Sequence, residues 1–91
     1  MWPVSWHIET TRRFDKEFKK LDKPTQLMLK GWLTKNIENT TDPRRHGKTL
    51  TGNLAGLWRY RIGDYRLICE IKDERLVILA LTVGQRRKIY R

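Results

Sequence analysis

The sequence predicts an α+β domain of order β-α-α-β-β-β, with a mainly antiparallel sheet and an N-terminal helix pair packed on one face. Three observations predict it. The apolar residues repeat every two positions at the start, at helical spacing in the next stretch, and every two again in the second half. A run rich in Asn, Thr, Asp, Pro and Gly separates the helical part from the later strands. The length of 91 residues allows one modest core, so residues 1–91 read as a single domain.

Trp2, Val4, Trp6 and Ile8 alternate with Pro3, Ser5, His7 and Glu9, which is the pattern of a strand with one buried face. Pro3 suits a strand start or an edge. From Thr10 the period changes. Phe14, Phe18 and Leu21 are spaced for one helix face, and Arg12, Arg13, Lys16, Lys19 and Lys20 make the outer face basic. Thr10 or Thr11 can cap this helix. Asp22 and Pro24 mark a second helix start, followed by Leu29, Leu33 and Ile37 at four-residue spacing. The short joint between the helices predicts an antiparallel pair.

"ENTTDPRRHGKTLTGNLAG" reads mostly as loop. Strands are then expected over Leu57 to Ile62, Tyr65 to Ile71 and Leu76 to Val83. Gly63-Asp64 suits a two-residue hairpin loop with glycine at the position of positive φ. "LVILALTV" is apolar on both faces and is therefore placed inside the sheet.

Twenty Lys and Arg against ten Asp and Glu give a formal charge of +10. Such an excess opposes compaction by self-repulsion, and an anionic partner relieves it. Nucleic acid, an acidic protein and an anionic membrane surface are the candidates. No apolar run approaches the roughly 20 residues of a spanning helix, and "MWPVSWHIE" lacks the order of a signal peptide. With the lone Cys69 giving no internal disulfide, the expectation is a cytoplasmic protein without membrane attachment.

The charge concentrates in "WRYRIGDYRL". With Gly63-Asp64 as the loop, Arg61 faces Arg66 and Arg59 faces Ile68, so Arg59, Arg61 and Arg66 share one side of the sheet. Opposed like charges destabilise a strand pair by a few tenths of a kcal/mol to about 1. Two readings are open: Asp64 and Glu70 neutralise a solvated face, or the arginines hold an anion. The ending "VGQRRKIYR" brings Arg86, Arg87, Lys88 and Tyr90 toward the same region and favours the second. Arginine recognises phosphate in a bidentate manner without losing its charge, and a tyrosine ring can stack on a base. Arg44, Arg45, His46 and Lys48 extend the positive surface as RNA-binding candidates, together with Arg87 and Lys88.

"KTLTGNLAGLWRYRIGDYRLICEI…LALTVGQRRKIYR" resembles the RelE family of toxins from bacterial toxin-antitoxin pairs. The likeness lies in Lys-x-Leu-x-Gly, in the Trp-Arg-x-Arg-x-Gly-Asp-Tyr-Arg hairpin, and in the Val-Gly-x-Arg ending before a tyrosine, and the topology fits over essentially the whole chain. The resemblance implies an endoribonuclease that cuts messenger RNA in the decoding site of the ribosome, the 2′-hydroxyl attacking the adjacent phosphate. It implies Arg59, Arg61, Arg66, Arg86 and Tyr90 as catalytic residues, with no metal and no cofactor. It also implies an acidic antitoxin as partner, and contact with operator DNA only through that complex. Arg61 and Arg66 are expected to clamp the phosphate, with Tyr90 as base and Arg59 or Arg86 facing the leaving oxygen. His46 stays open as a substitute acid. A gyrase-directed toxin of the ParE type and a non-catalytic RNA- or ribosome-binding module are the alternatives.

Other signals point to structure. "HGKT" lacks the first glycine and preceding strand of a phosphate loop. His7 and His46 have no ligand-spaced companions for a metal. Cys69 shares its predicted face with Tyr65, Leu67 and Ile71 and reads as core, while Trp58 and Tyr60 point toward the helices.

Overall fold

Thr11 is where strand turns into helix. Its backbone is extended, at φ −88° and ψ 163°, and its Oγ1 accepts the Phe14 N–H at 3.1 Å, satisfying one of the open donors of the first turn. The computed structural model describes residues 5–85. Strand β1 is His7–Thr10, α1 is Arg12–Lys19, and α2 is Lys23–Asn36. After two short 3₁₀ turns, at Pro43–Arg45 and Gly52–Leu54, with β2 (Lys48–Thr49) between them, come β3 (Trp58–Ile62), β4 (Tyr65–Lys72) and β5 (Val77–Gln85). The sheet order is β1-β5-β4-β3-β2; β1 runs parallel to β5 and every other neighbour is antiparallel. The predicted α+β architecture and the interior position of "LVILALTV" are both observed.

One face of the sheet carries the core. Tyr60 and Ile62 on β3, Leu67 and Cys69 on β4, and Ile78 and Ala80 on β5 pack with Phe14, Leu29 and Ile37. Periodicity in the helices comes directly from this contact: Phe14, Leu29 and Ile37 are the buried positions, while the lysines between them stay in water. Tyr60 is fully buried and anchors its hydroxyl on the Pro43 carbonyl at 2.6 Å; burial raises its pKa well above the ordinary phenol value. Cys69 has no exposure, and desolvation pushes its thiol up to about 12. It is core, as its neighbours predict.

The first strand begins later than the alternation suggests. Trp2 and Val4 lie outside the described residues, and Trp6 is buried ahead of β1. Its backbone bonds not to a strand but to the corner after α2, donating to the Thr40 carbonyl at 3.0 Å and accepting from Asn39 N–H at 2.9 Å. α1 stops at Lys19, leaving Leu21 in the helix joint, where Gln26 Nε2 donates to the carbonyls of Phe18 and Leu21.

Gly63 has φ 59°, so the hairpin turn uses glycine where a side chain would be strained. Gly47 has φ 86° for a different reason. A Cβ there would overlap the Arg59 carbonyl oxygen and the Trp58 indole nitrogen, so the loop lies directly against β3. The contact is closed by Trp58 Nε1 donating to the His46 carbonyl at 2.8 Å. The glycine of "HGKT" is therefore a packing glycine.

Candidate functional site

The hairpin register matches expectation: Ile62 pairs with Tyr65, Arg61 with Arg66, and Arg59 with Ile68. Since Tyr60 and Ile62 face the helices, the intervening Arg59 and Arg61 face the other way, and Arg66 joins them from β4. β2 extends this face, because Lys48 stands opposite Arg59. The open side thus carries two cross-strand rows. One runs Lys48–Arg59–Ile68–Thr82, and the other runs Arg61–Arg66–Gly84.

The second half of each row exists only because β5 contains a bulge. Cys69 pairs with Ala80, but Ile68 pairs with Thr82, so Leu81 is an extra residue in the ladder. Before the bulge Ile78 and Ala80 point into the core; beyond it the alternation is reset, and Val83 takes the core position opposite Leu67. Thr82 and Gly84 are turned onto the arginine side. Glu17 of α1 and the capping Thr11 bond to groups at the bulge. Thr11 Oγ1 donates to the Leu81 carbonyl at 3.0 Å, and one oxygen of Glu17 accepts both the Val83 N–H at 3.0 Å and the Thr82 hydroxyl at 2.6 Å. The other Glu17 oxygen pairs with Arg13 Nε at 3.3 Å.

A cleft of about 640 Å³ lies over the first row. Arg59, Arg66, Ile68 and Thr82 form its floor, with Arg13 and Leu81 on one side and Leu50, Thr51, Asn53, Leu54 and Leu57 on the other. Arg59 Nε is buried and has no acceptor among the described residues. A guanidinium N–H in that condition is a built demand for an anionic or strongly polar oxygen. Glu70 does not meet it, being paired with Lys72 at 3.6 Å.

The predicted site residues divide accordingly. Arg59, Arg61, Arg66 and Lys48 come together. Arg44 is engaged elsewhere: its guanidinium makes a two-pronged pair with Asp73, both contacts at 2.9 Å, across to the β4–β5 turn. That bond raises the Arg44 pKa further and lowers that of Asp73. Arg45 is exposed in the same 3₁₀ turn. His46, expected beside the arginines, instead sets its ring edge-on against Trp32 at 5.5 Å, and Trp32 in turn meets Tyr60. This puts His46 on the helix-covered side of the sheet, away from the arginine face. Arg86, Arg87, Lys88 and Tyr90 lie outside the described residues. Arg13, Thr82 and the leucines of the cleft wall are additions that the sequence reading did not single out. The i,i+4 pair Arg13/Glu17 is the one trace of them in the sequence. Among the described residues no cluster of His, Cys, Asp and Glu could hold a metal ion, and no helix is long and apolar enough to cross a membrane.

The chain is a small helix-backed sheet whose open face carries Lys48, Arg59, Arg61 and Arg66. Residues 8–90 match the family described as the ParE toxin of the type II toxin-antitoxin system parDE, and the chain belongs to this family, within the RelE/ParE superfamily. A segment of 50 residues is 44% identical to Toxin RelG of Mycobacterium tuberculosis, covering 55% of this chain and 58% of that protein. The chain thus spans little more than half the length of this curated relative. The fold matches a chain of the RelBE2 toxin-antitoxin complex of M. tuberculosis at a TM-score of 0.82 and 28% identity, over 91% of this chain and 93% of that one. It also matches the isolated RelE toxin of E. coli at a TM-score of 0.69, over 94% of this chain and 92% of that one; at 22% identity this likeness concerns the fold alone.

Proposed function

We propose that this chain is the toxin of a type II toxin-antitoxin pair and acts as a ribosome-dependent endoribonuclease on messenger RNA. The observation that carries the reading is the convergence of Arg59, Arg61, Arg66 and Lys48 on one open face, with a buried Arg59 Nε that has no acceptor among the described residues. In-line transfer needs a base for the nucleophile, stabilisation of charge on phosphorus, and an acid for the leaving oxygen. Arg61 and Arg66, directly opposed, clamp the phosphate. The 2′-hydroxyl attacks phosphorus and gives its proton to Tyr90. The bond to the 5′-oxygen breaks, and that oxygen takes a proton from Arg59 or Arg86, which recovers one from solvent as Tyr90 returns its own, leaving a cyclic phosphate and a free 5′-hydroxyl. The roles of Tyr90 and Arg86 rest on the family resemblance of the ending.

An ordinary tyrosine has a pKa of about 10, and arginine is a very weak acid. Neighbouring guanidinium groups favour the phenolate, yet such groups acting alone make a slow catalyst on free RNA. The ribosome supplies the missing orientation. Ribosome and messenger are therefore the working partners, in the cytoplasm. An acidic antitoxin masks the arginine face; RelE toxins of similar fold from E. coli and Pyrococcus horikoshii are held in complexes with RelB antitoxins.

The purified protein is added to programmed ribosomes and the messenger is mapped for cuts. Cleavage at the decoding site, abolished by Arg66→Ala and strongly reduced by Tyr90→Phe, supports the reading; absence of cleavage rejects it. The family match to ParE toxins favours one second reading, a toxin directed at gyrase. Gyrase-dependent DNA breaks in the same preparation would establish that one instead.

A further inference from the structure

We infer that the cleft beside the arginine rows is a nucleoside subsite, which receives the nucleotide adjoining the clamped phosphate and sets the base preference of cutting. This rests on the endoribonuclease reading and deepens it. Arg59 and Arg66 belong both to the arginine face and to the cleft floor. A phosphodiester that meets the buried Arg59 Nε therefore places one attached nucleoside over Ile68.

The cleft volume of about 640 Å³ lies within the range of small-ligand sites. Its walls suit such a guest. Leu50, Leu54, Leu57 and Leu81 offer aliphatic surface to the flat faces of a base. Thr51 and Asn53 supply groups that both donate and accept, as a base edge requires; both are exposed and so free to turn toward a guest. The charge pattern favours a nucleic acid over an acidic polypeptide. Arg59 and Arg61 stand two residues apart on an extended strand, about 7 Å, a regular spacing that suits successive phosphates of a single strand. The buried Arg59 Nε sits at the floor, where a backbone phosphate reaches more readily than a carboxylate held on a rim.

The test uses the isotopically labelled full-length chain, titrated with the four 3′-phosphorylated mononucleotides and, separately, with inorganic phosphate. Amide resonances of residues 51–57 and of Leu81 report on the cleft. The expected result is that nucleotides move these amides and bind at least about tenfold more tightly than phosphate, with one base preferred. Asn53→Ala should level the four affinities and shift the base at which ribosome-bound messenger is cut. Equal binding of phosphate and nucleotides, with the cleft amides unmoved, overturns the subsite. So does a cleft that responds only to a peptide of alternating glutamate and leucine, which would make it a groove for an acidic partner. The two ideas fail separately. Cleavage by the wild-type chain without nucleotide binding removes the subsite and leaves the nuclease; base-selective binding without cleavage leaves the subsite and removes the nuclease.

Discussion

Glu17→Ala removes the carboxylate that ties α1 to the bulge of β5. Three contacts go with it: the Val83 N–H at 3.0 Å, the Thr82 hydroxyl at 2.6 Å, and Arg13 Nε at 3.3 Å. Hydrogen bonds to a charged group contribute about 1.5–3 kcal/mol each. Here the Glu17 side chain is 30% exposed, which argues for the lower end, and the Thr82 hydroxyl can rotate to another acceptor. The Val83 N–H cannot rotate. Arg13 is 73% exposed, so its ion pair adds less than about 1 kcal/mol. Together these predict a loss of about 2–4 kcal/mol, which at this chain length lowers the unfolding midpoint by about 10–25 °C. Glu17→Gln keeps a carbonyl oxygen for Val83 and Thr82 and loses the charge, so it should cost only about 1 kcal/mol. Urea unfolding followed by circular dichroism gives the free energies, and hydrogen exchange at the Val83 amide reports the bulge directly. An alanine variant within about 0.5 kcal/mol of wild type, or one matching the glutamine variant, would refute the clasp.

The opposed arginines predict a divergence between stability and activity. Arg61→Thr should stabilise the fold by a few tenths of a kcal/mol to about 1 in urea unfolding, while cleavage of ribosome-bound messenger is lost; a destabilised variant would show that the pair is not repulsive. Gly47→Ala combines φ 86° with an overlap on the Arg59 carbonyl oxygen, so a loss of about 3 kcal/mol or more is expected, measured in the same way. Cys69 titrates near 9.0 in an ordinary setting and is pushed up to about 12 here. The folded state therefore holds its proton longer than the unfolded chain does. Its contribution to stability is complete below about pH 9 and is lost as pH rises toward 12. Cys69→Ala should flatten that alkaline slope, and an unchanged slope would assign it to other groups.

Much of this architecture is local in origin and could be read without coordinates. Two-residue alternation in Trp58–Ile62 and Tyr65–Lys72, with a glycine at Gly63 able to take positive φ, determines the hairpin register by itself. The sharing of one face by Arg59, Arg61 and Arg66 follows with no tertiary information, because pleat and turn length leave no other choice. Helix starts at Thr11 and Asp22 and the buried character of Cys69 were legible for the same reason: each rests on near neighbours in the chain.

What the sequence could not determine depends on partners far along the chain. A two-residue strand such as β2 has no periodicity to detect, yet it brings Lys48 to Arg59. The aromatic stack of Trp32 removes His46 from the basic face, and Asp73, 29 residues away, claims Arg44. The bulge at Leu81 inverts the strand's alternation and so decides which side Thr82 and Val83 occupy. Apolar residues on both faces of "LVILALTV" conceal such a slip, since either register buries hydrocarbon. A carboxylate in α1 and the hydroxyl of its capping Thr11, some 65 and 70 residues earlier, bond to the register that builds the cleft.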